Sequence, residues 1–265
     1  MSDRFSRATA VRLVERSDES ARFDAEVHDG WDIGGNANGG YLLAIAGRAM
    51  AETVGRPPLT ITSHYLRPAP PGPCGIEVEV VRSGRRLATV SATLVQEDAP
   101  VIRLLGTFGD QQPGGPSIVA EQPLELPPFD DCVERPQTAE SPALMANINC
   151  RMLDADSGFG DGRPSGTAMM RGWFDLADNE PIDAIALLLA ADAFAPPIFN
   201  TDVPVAWVPT VELTVHVRGV PVPGPLRCRF RSRFIADGFV DEDGEIWDSA
   251  GTLVAQSRQL SLMPR

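Results

Sequence analysis

The chain has no lysine. All 23 of its basic side chains are arginine, set against 36 acidic ones, for a formal net charge of −13. A field of that sign repels nucleic acid and anionic membranes, so neither is expected as a partner. Cysteine is sparse: Cys74, Cys132, Cys150 and Cys228 form no CxxC pair and no Cys/His cluster of zinc spacing, so they read as reduced structural thiols in a cytoplasmic protein. The three histidines lie far apart in sequence and make no metal motif. No apolar run reaches the roughly 20 residues that span a bilayer. The longest, from Ile182 to Phe194, is interrupted by Asp183 and Asp192. The first residues, Met1-Ser-Asp-Arg-Phe-Ser-Arg7, lack the apolar core of a signal peptide. There is no GxSxG, P-loop or GxGxxG, which removes the support for a serine nucleophile elbow, nucleotide hydrolysis and dinucleotide cofactors.

What the chain has is a repeat. His64 and Pro71-Gly-Pro73 return as His216 and Pro223-Gly-Pro225, at a constant offset of 152 residues. Each copy follows an apolar helical run and precedes a long stretch of strand-like sequence. A 265-residue chain that is 43% hydrophobic has room for two such units, each with its own core. The proline-dense segment 109–146 reads as a linker laid over the surface, with room for a short helix. It divides an N-terminal unit (1–108) from a C-terminal unit (147–265).

In the first unit Asn38 is a plausible N-cap, followed by Gly39-Gly40 and a helix to about Thr53 that is apolar on all sides and so enclosed. Strands are expected at Leu59–Arg67, Gly75–Arg82, Arg86–Gln96 and Val101–Phe108, with turns at Ser83-Gly84 and Glu97-Asp98. The second unit repeats the order. Strands are expected at Asn147–Leu153 and Thr167–Phe174. A helix capped by Asp178 or Asn179 then runs over Ile182–Phe194, and strands follow at Val208–Val217, Leu226–Ile235, Phe239–Asp248 and Leu253–Leu262. This is an α+β pattern: long antiparallel sheets, each wrapped around a central helix.

The first half shows Gly39-Gly40 opening a helix, Ser63-His-Tyr-Leu-Arg-Pro68 and Arg82-Ser-Gly-Arg85, and the second half shows Ala191-Asp-Ala-Phe194, Thr210 after Pro209, and Leu253-Val-Ala-Gln-Ser-Arg-Gln259. In these motifs, and in their order and spacing, the sequence resembles the TesB-like double-hotdog acyl-CoA thioesterases over nearly its whole length. The resemblance implies two fused hotdog units, an acyl-CoA substrate, and catalytic roles for Asp192, Thr210 and Gln259, which would hold the water that attacks the thioester. No metal or organic cofactor is implied; coenzyme A enters only as part of the substrate.

The residues themselves leave room for this reading and for blander ones. Asp192 falls on the same helical face as Leu188 and Ile185, near a helix C-terminus. Burial and the negative end of that helix would both raise its pKa, as suits a general base. A frayed turn with Asp192 in water is the plain alternative. Thr210 alone is an ordinary strand residue, and Gln259 sits on a strand of ambiguous alternation. Gly39 and Gly40 offer free helix N-terminal N–H groups to a thioester oxygen, with Asn36 and Asn38 shaping the loop. Arg82, Arg85 and Arg86, and the alternating Arg227, Arg229, Arg231 and Arg233, are candidate phosphate contacts or solvated faces. His64 and His216, being equivalent in the repeat, suggest a shared structural role.

A hotdog hydratase is disfavoured because neither central helix contains histidine. A non-catalytic acyl-CoA or lipid-binding module remains the alternative from another class. The acyl chain would lie between helix and sheet, and a homodimer or homotetramer is expected.

Overall fold

The structure is a computed structural model that describes residues 3–111, 119–138 and 141–263. In the first half lie α1 (Arg4–Ala8), β1 (Val11–Arg16), β2 (Ser20–Val27), the two-residue strands β3 (Asp32–Ile33) and β4 (Asn36–Ala37), and α2 (Gly39–Val54). Four long strands follow: β5 (Pro58–Tyr65), β6 (Gly72–Ser83), β7 (Leu87–Gln96) and β8 (Ala99–Gly109). The second half opens with β9 (Val133–Glu134), β10 (Ile148–Met152), α3 (Asp154–Ser157), β11 (Met169–Leu176) and α4 (Ala186–Ala190). It closes with β12 (Thr210–Val217), β13 (Leu226–Arg231), β14 (Ile235–Ala236), β15 (Phe239–Trp247) and β16 (Leu253–Leu262).

All the strands except β3 and β4 join one antiparallel sheet. Its order is β1-β2-β6-β7-β8-β5-β12-β16-β15-β13-β11-β10-β9, with β14 paired to β15. Read outward from the β5–β12 seam, the two halves match strand for strand over six strands each, and β9 extends the second half by one more. The seam is the centre of the repeat. Thr62 faces Thr214, and their hydroxyls meet at 2.8 Å. His64 faces Glu212, while its repeat partner His216 faces Thr60, the repeat equivalent of Glu212. Both histidines are exposed on the outer face.

The sheet curls around α2, whose Tyr41 to Ala46 are all buried. The Asn38 side chain caps α2 by accepting from Tyr41 N–H at 2.9 Å, and Gly55 ends the helix in the left-handed conformation (φ 64°). The Glu97-Asp98 turn has both residues at positive φ, the geometry of a two-residue hairpin.

Three expectations need correction. The second central helix covers only Ala186–Ala190, not Ile182–Phe194. Asp183 Oδ1 takes the Ile185 and Ala186 N–H groups and starts the helix late, so the cap is neither Asp178 nor Asn179. The strand expected over Leu226–Ile235 breaks after Arg231, because Asp241 Oδ1 draws off the N–H groups of Arg233 and Phe234. Strands β1 and β2, unanticipated, extend the first half of the sheet.

Part of the segment read as a linker, residues 112–118 and 139–140, lies outside the described residues. From Val119 onward the chain crosses the outer face of the second half. Trp173 Nε1 donates to Pro127 O at 2.9 Å, Glu121 pairs with Arg229, and a short 3-10 turn spans Phe129–Asp131.

Candidate active site

The site forms where α4 ends against the start of α2. Two glycines let the helices approach. A Cβ on Gly40 would lie 2.9 Å from Leu188 O and 2.9 Å from Asp192 Cβ; one on Gly47 would lie 2.7 Å from Leu188 Cδ1. Asp192, in the turn just past α4, therefore meets the N-terminus of a 16-residue helix. Its Oδ2 accepts from Gly40 N–H at 2.8 Å and from Asn38 Nδ2 at 2.9 Å, and the same Nδ2 donates to Asp192 O at 2.8 Å.

This revises the electrostatics read from sequence. The dipole that Asp192 meets is the positive end of α2, which favours its charge. Burial nevertheless wins: desolvation pushes its pKa up to about 6, against the opposing pull of the Gly40, Asn38 and Gly39 donors. The result is a carboxyl that titrates just below neutrality.

Asn38, Gly39 and Gly40 thus have a different task from the one expected. Asn38 is 2% exposed, and its side chain is occupied by Asp192 and Tyr41. The Gly40 N–H is taken by the carboxylate rather than left for a thioester oxygen. Gly39 permits the approach of Tyr65, whose ring atoms would stand 3.1 Å from an added Cβ and whose hydroxyl donates to Gly39 O at 2.9 Å. Tyr65 is a wall of the site; burial and the Asp192 charge both raise its pKa.

Gln259 and Thr210 come from the sheet below. The inward positions of β16 are Ser257, Gln259 and Ser261, all less than 8% exposed. Gln259 Nε2 donates to Ser261 Oγ at 2.9 Å, and Ser261 faces Thr210 across the β12–β16 pair. On the other side Gln259 faces Glu242 of β15. Glu242 carries the cluster back to α4: burial raises its pKa well above the usual carboxylate range, and the nearby charge of Asp192 adds to the shift. Glu242, Ser261 and Tyr65 were not singled out from sequence. Glu242 shares an inward phase with Val240, Gly244 and Ile246, but its neighbours Asp241 and Asp243 disguise it as part of an exposed acidic run.

Among the described residues the repeat carries this polar cluster in its second half alone. By register, Thr210, Ser261, Gln259 and Glu242 correspond to Pro58, Phe108, Gly106 and Val90. Those positions are apolar, and Phe108 is fully buried.

The arginines do not join the site. Arg82 and Arg85 are exposed at the β6–β7 turn. That turn is tied by Arg56 to the C-terminal end of α2, so it lies about 24 Å along the helix from Asp192. Arg229, Arg231 and Arg233 are paired on the outer face with Glu245, Glu121 and Asp243, and Arg227 lies over Trp173. Among the described residues no group of three His, Cys, Asp or Glu side chains is arranged to hold a metal ion, and no helix is long and apolar enough to cross a membrane. Two open clefts of about 300 and 380 Å³ flank Arg7 and His28 and share no residue with the Asp192 cluster.

Residues 27–109 match the acyl-CoA thioesterase N-terminal domain, and residues 127–263 match the acyl-CoA thioesterase C-terminal domain. The chain belongs to the acyl-CoA thioesterase family. Within it, the chain is similar to a putative thioesterase II from Thermobifida fusca, with 32% identity, a TM-score of 0.89, and 99% and 98% of the two chains covered. A hot dog fold protein of unknown function from Alicyclobacillus acidocaldarius superposes with a TM-score of 0.84 at 22% identity, covering 100% and 99%, and shows the shared fold. An uncharacterized protein of Mycobacterium tuberculosis is 27% identical over 290 residues, 98% of each chain. The two fused hotdog units of a TesB-like thioesterase thus account for the duplicated sheet, and the family's domain pair meets at the β5–β12 seam.

Proposed function

We propose that the chain hydrolyses acyl-CoA thioesters by direct attack of water. Asp192 takes a proton from the water, whose oxygen bonds to the thioester carbonyl carbon. Collapse of the adduct breaks the C–S bond, and the coenzyme A thiolate leaves and is protonated. The products are a carboxylic acid and coenzyme A. Thr210 and Gln259 orient the water, the acyl chain lies between α2 and the sheet, and the protein works in the cytoplasm as a dimer or tetramer.

One observation carries this reading. The Asp192 carboxyl is fixed through Oδ2, which accepts from Asn38 and Gly40, with the Gly39 N–H adding to its support. That leaves Oδ1 as the base, with a pKa near 6 that makes it mostly ionised at neutral pH yet basic enough to accept a proton. Because Asn38, Gly39 and Gly40 serve the carboxylate, they act in catalysis by positioning it.

The test is a panel of acyl-CoA thioesters of varied length and branching, assayed for free thiol. Release above the uncatalysed rate for at least one chain class is expected. Saturable binding with no release across the panel would favour a binding module instead.

A further inference from the structure

Gln259 is held by only half of its amide. Nε2 donates to Ser261 Oγ, while Oε1 is buried and has no hydrogen-bond partner among the described residues. A buried acceptor left unpaired is destabilising, so a donor is needed beside it. Directly opposite, on the same inward face, stands Glu242. Opposed side chains of an antiparallel pair have Cβ atoms about 5 Å apart, within reach of a carboxyl–amide hydrogen bond.

The surroundings decide which form of Glu242 sits there. The charge of Asp192, just past the end of α4, reaches it, and Asp241 and Asp243 flank it on its own strand. Glu212 of β12, across β16, lies on the outer face and accepts from Thr214. The arginines of this region, Arg231, Arg233 and Arg258, project outward onto Glu245, Asp243 and Asp241. With acids on several sides and the cations spent outside, a neutral carboxylic acid is the form that fits, and a neutral acid carries the O–H that Oε1 lacks.

We propose that Glu242 is a positioning residue: its carboxyl donates a hydrogen bond to Gln259 Oε1 and fixes the amide for the attacking water. The chain of donors then runs in one direction, from Glu242 to Gln259 to Ser261, and ends beside Thr210. The inference rests on the hydrolytic reading above, since it assigns a supporting group to the water-holding amide. It also explains why the first half has no such acid. There the positions of Gln259 and Glu242 are Gly106 and Val90, and no amide needs support.

The test combines a spectrum with kinetics on the full chain. At pH 7 the infrared difference between wild type and Glu242→Gln should show the carbonyl stretch of a protonated carboxyl, lost in the variant. A carboxylate band in its place would overturn the proposal, because the amide would then run the other way. Glu242→Val, which installs the residue the first half uses, should lower kcat about tenfold or more and leave KM within about twofold. Glu242→Gln, which keeps a donor, should retain kcat within about threefold and leave the acidic limb of the rate profile in place. Unchanged kcat in Glu242→Val, or equal losses in both variants, would overturn it. Should Asp192→Asn hydrolyse thioesters at the wild-type rate, the hydrolytic mechanism fails instead; the infrared band, which needs no turnover, still reports on Glu242.

Discussion

Asp192 is governed by two opposed effects. Its donors favour the anion and its burial favours the acid, and burial prevails. A carboxyl whose folded pKa stands near 6, against an ordinary 3.8, binds its proton more tightly folded than unfolded. Its stabilising contribution is therefore complete below about pH 4 and is lost as pH rises toward 6. Asp192→Asn removes this cost. The variant should be nearly as stable as wild type at pH 4 and more stable by about 3 kcal/mol at pH 7.5, as urea unfolding at the two pH values would show. Asn38 works at the same scale. Without its Nδ2 donor the Asp192 anion loses support, so in Asn38→Ala the acidic limb of the rate profile should move to higher pH. Loss of the α2 cap should cost about 1 kcal/mol in the same variant.

At the scale of elements, the site is a packing problem solved by glycine. Gly40 lies against the α4 backbone, which has no flexible end to move aside. Gly40→Ala should push α4 away, cost about 1–3 kcal/mol in thermal or urea unfolding, and lower turnover by disturbing Asp192. At this scale the sequence is legible only in part. The Asn38 cap and the apolar wrap of α2 were legible because capping and burial are local patterns. The length of α4 was not, since the apolar run from Ile182 to Phe194 conceals the Asp183 cap and the head-on meeting with α2. That meeting decides the field at Asp192, and a pattern confined to one helix shows only that helix's own dipole. Likewise Gly39-Gly40 looked like donors for a ligand, because nothing in one helix reveals which anion from the other half will claim them. The row of arginines on β13 was correctly phased, yet its partners come from β15 and from the segment after Val119, both distant in sequence.

At the scale of the whole molecule, the duplication was the clearest signal, and it locates the seam: residues 152 apart, Thr62 and Thr214, touch across it. One continuous sheet and the α2–α4 contact tie the halves together. Trp31 lies in the first half and Trp173, Trp207 and Trp247 in the second, so variants keeping only one set report each half separately. The expected outcome is coincident unfolding curves; two separated transitions would show that the seam is weak. The departure from symmetry was not legible, because the match of His64 with His216 says nothing about inward residues. At the positions of Thr210, Ser261, Gln259 and Glu242 the first half carries Pro58, Phe108, Gly106 and Val90, so titration with a tight non-hydrolysable acyl-CoA analogue should saturate at one equivalent per chain.

The central claim is that the Asp192 carboxylate is the base, and the pH dependence of kcat/KM for thiol release tests it most directly. The account predicts a rate that rises with pH and levels off through an apparent pKa near 6, with Asp192→Asn folded and slower by about a hundredfold or more across the range. A flat profile through pH 5–7, or an Asp192→Asn variant as fast as wild type, would contradict it.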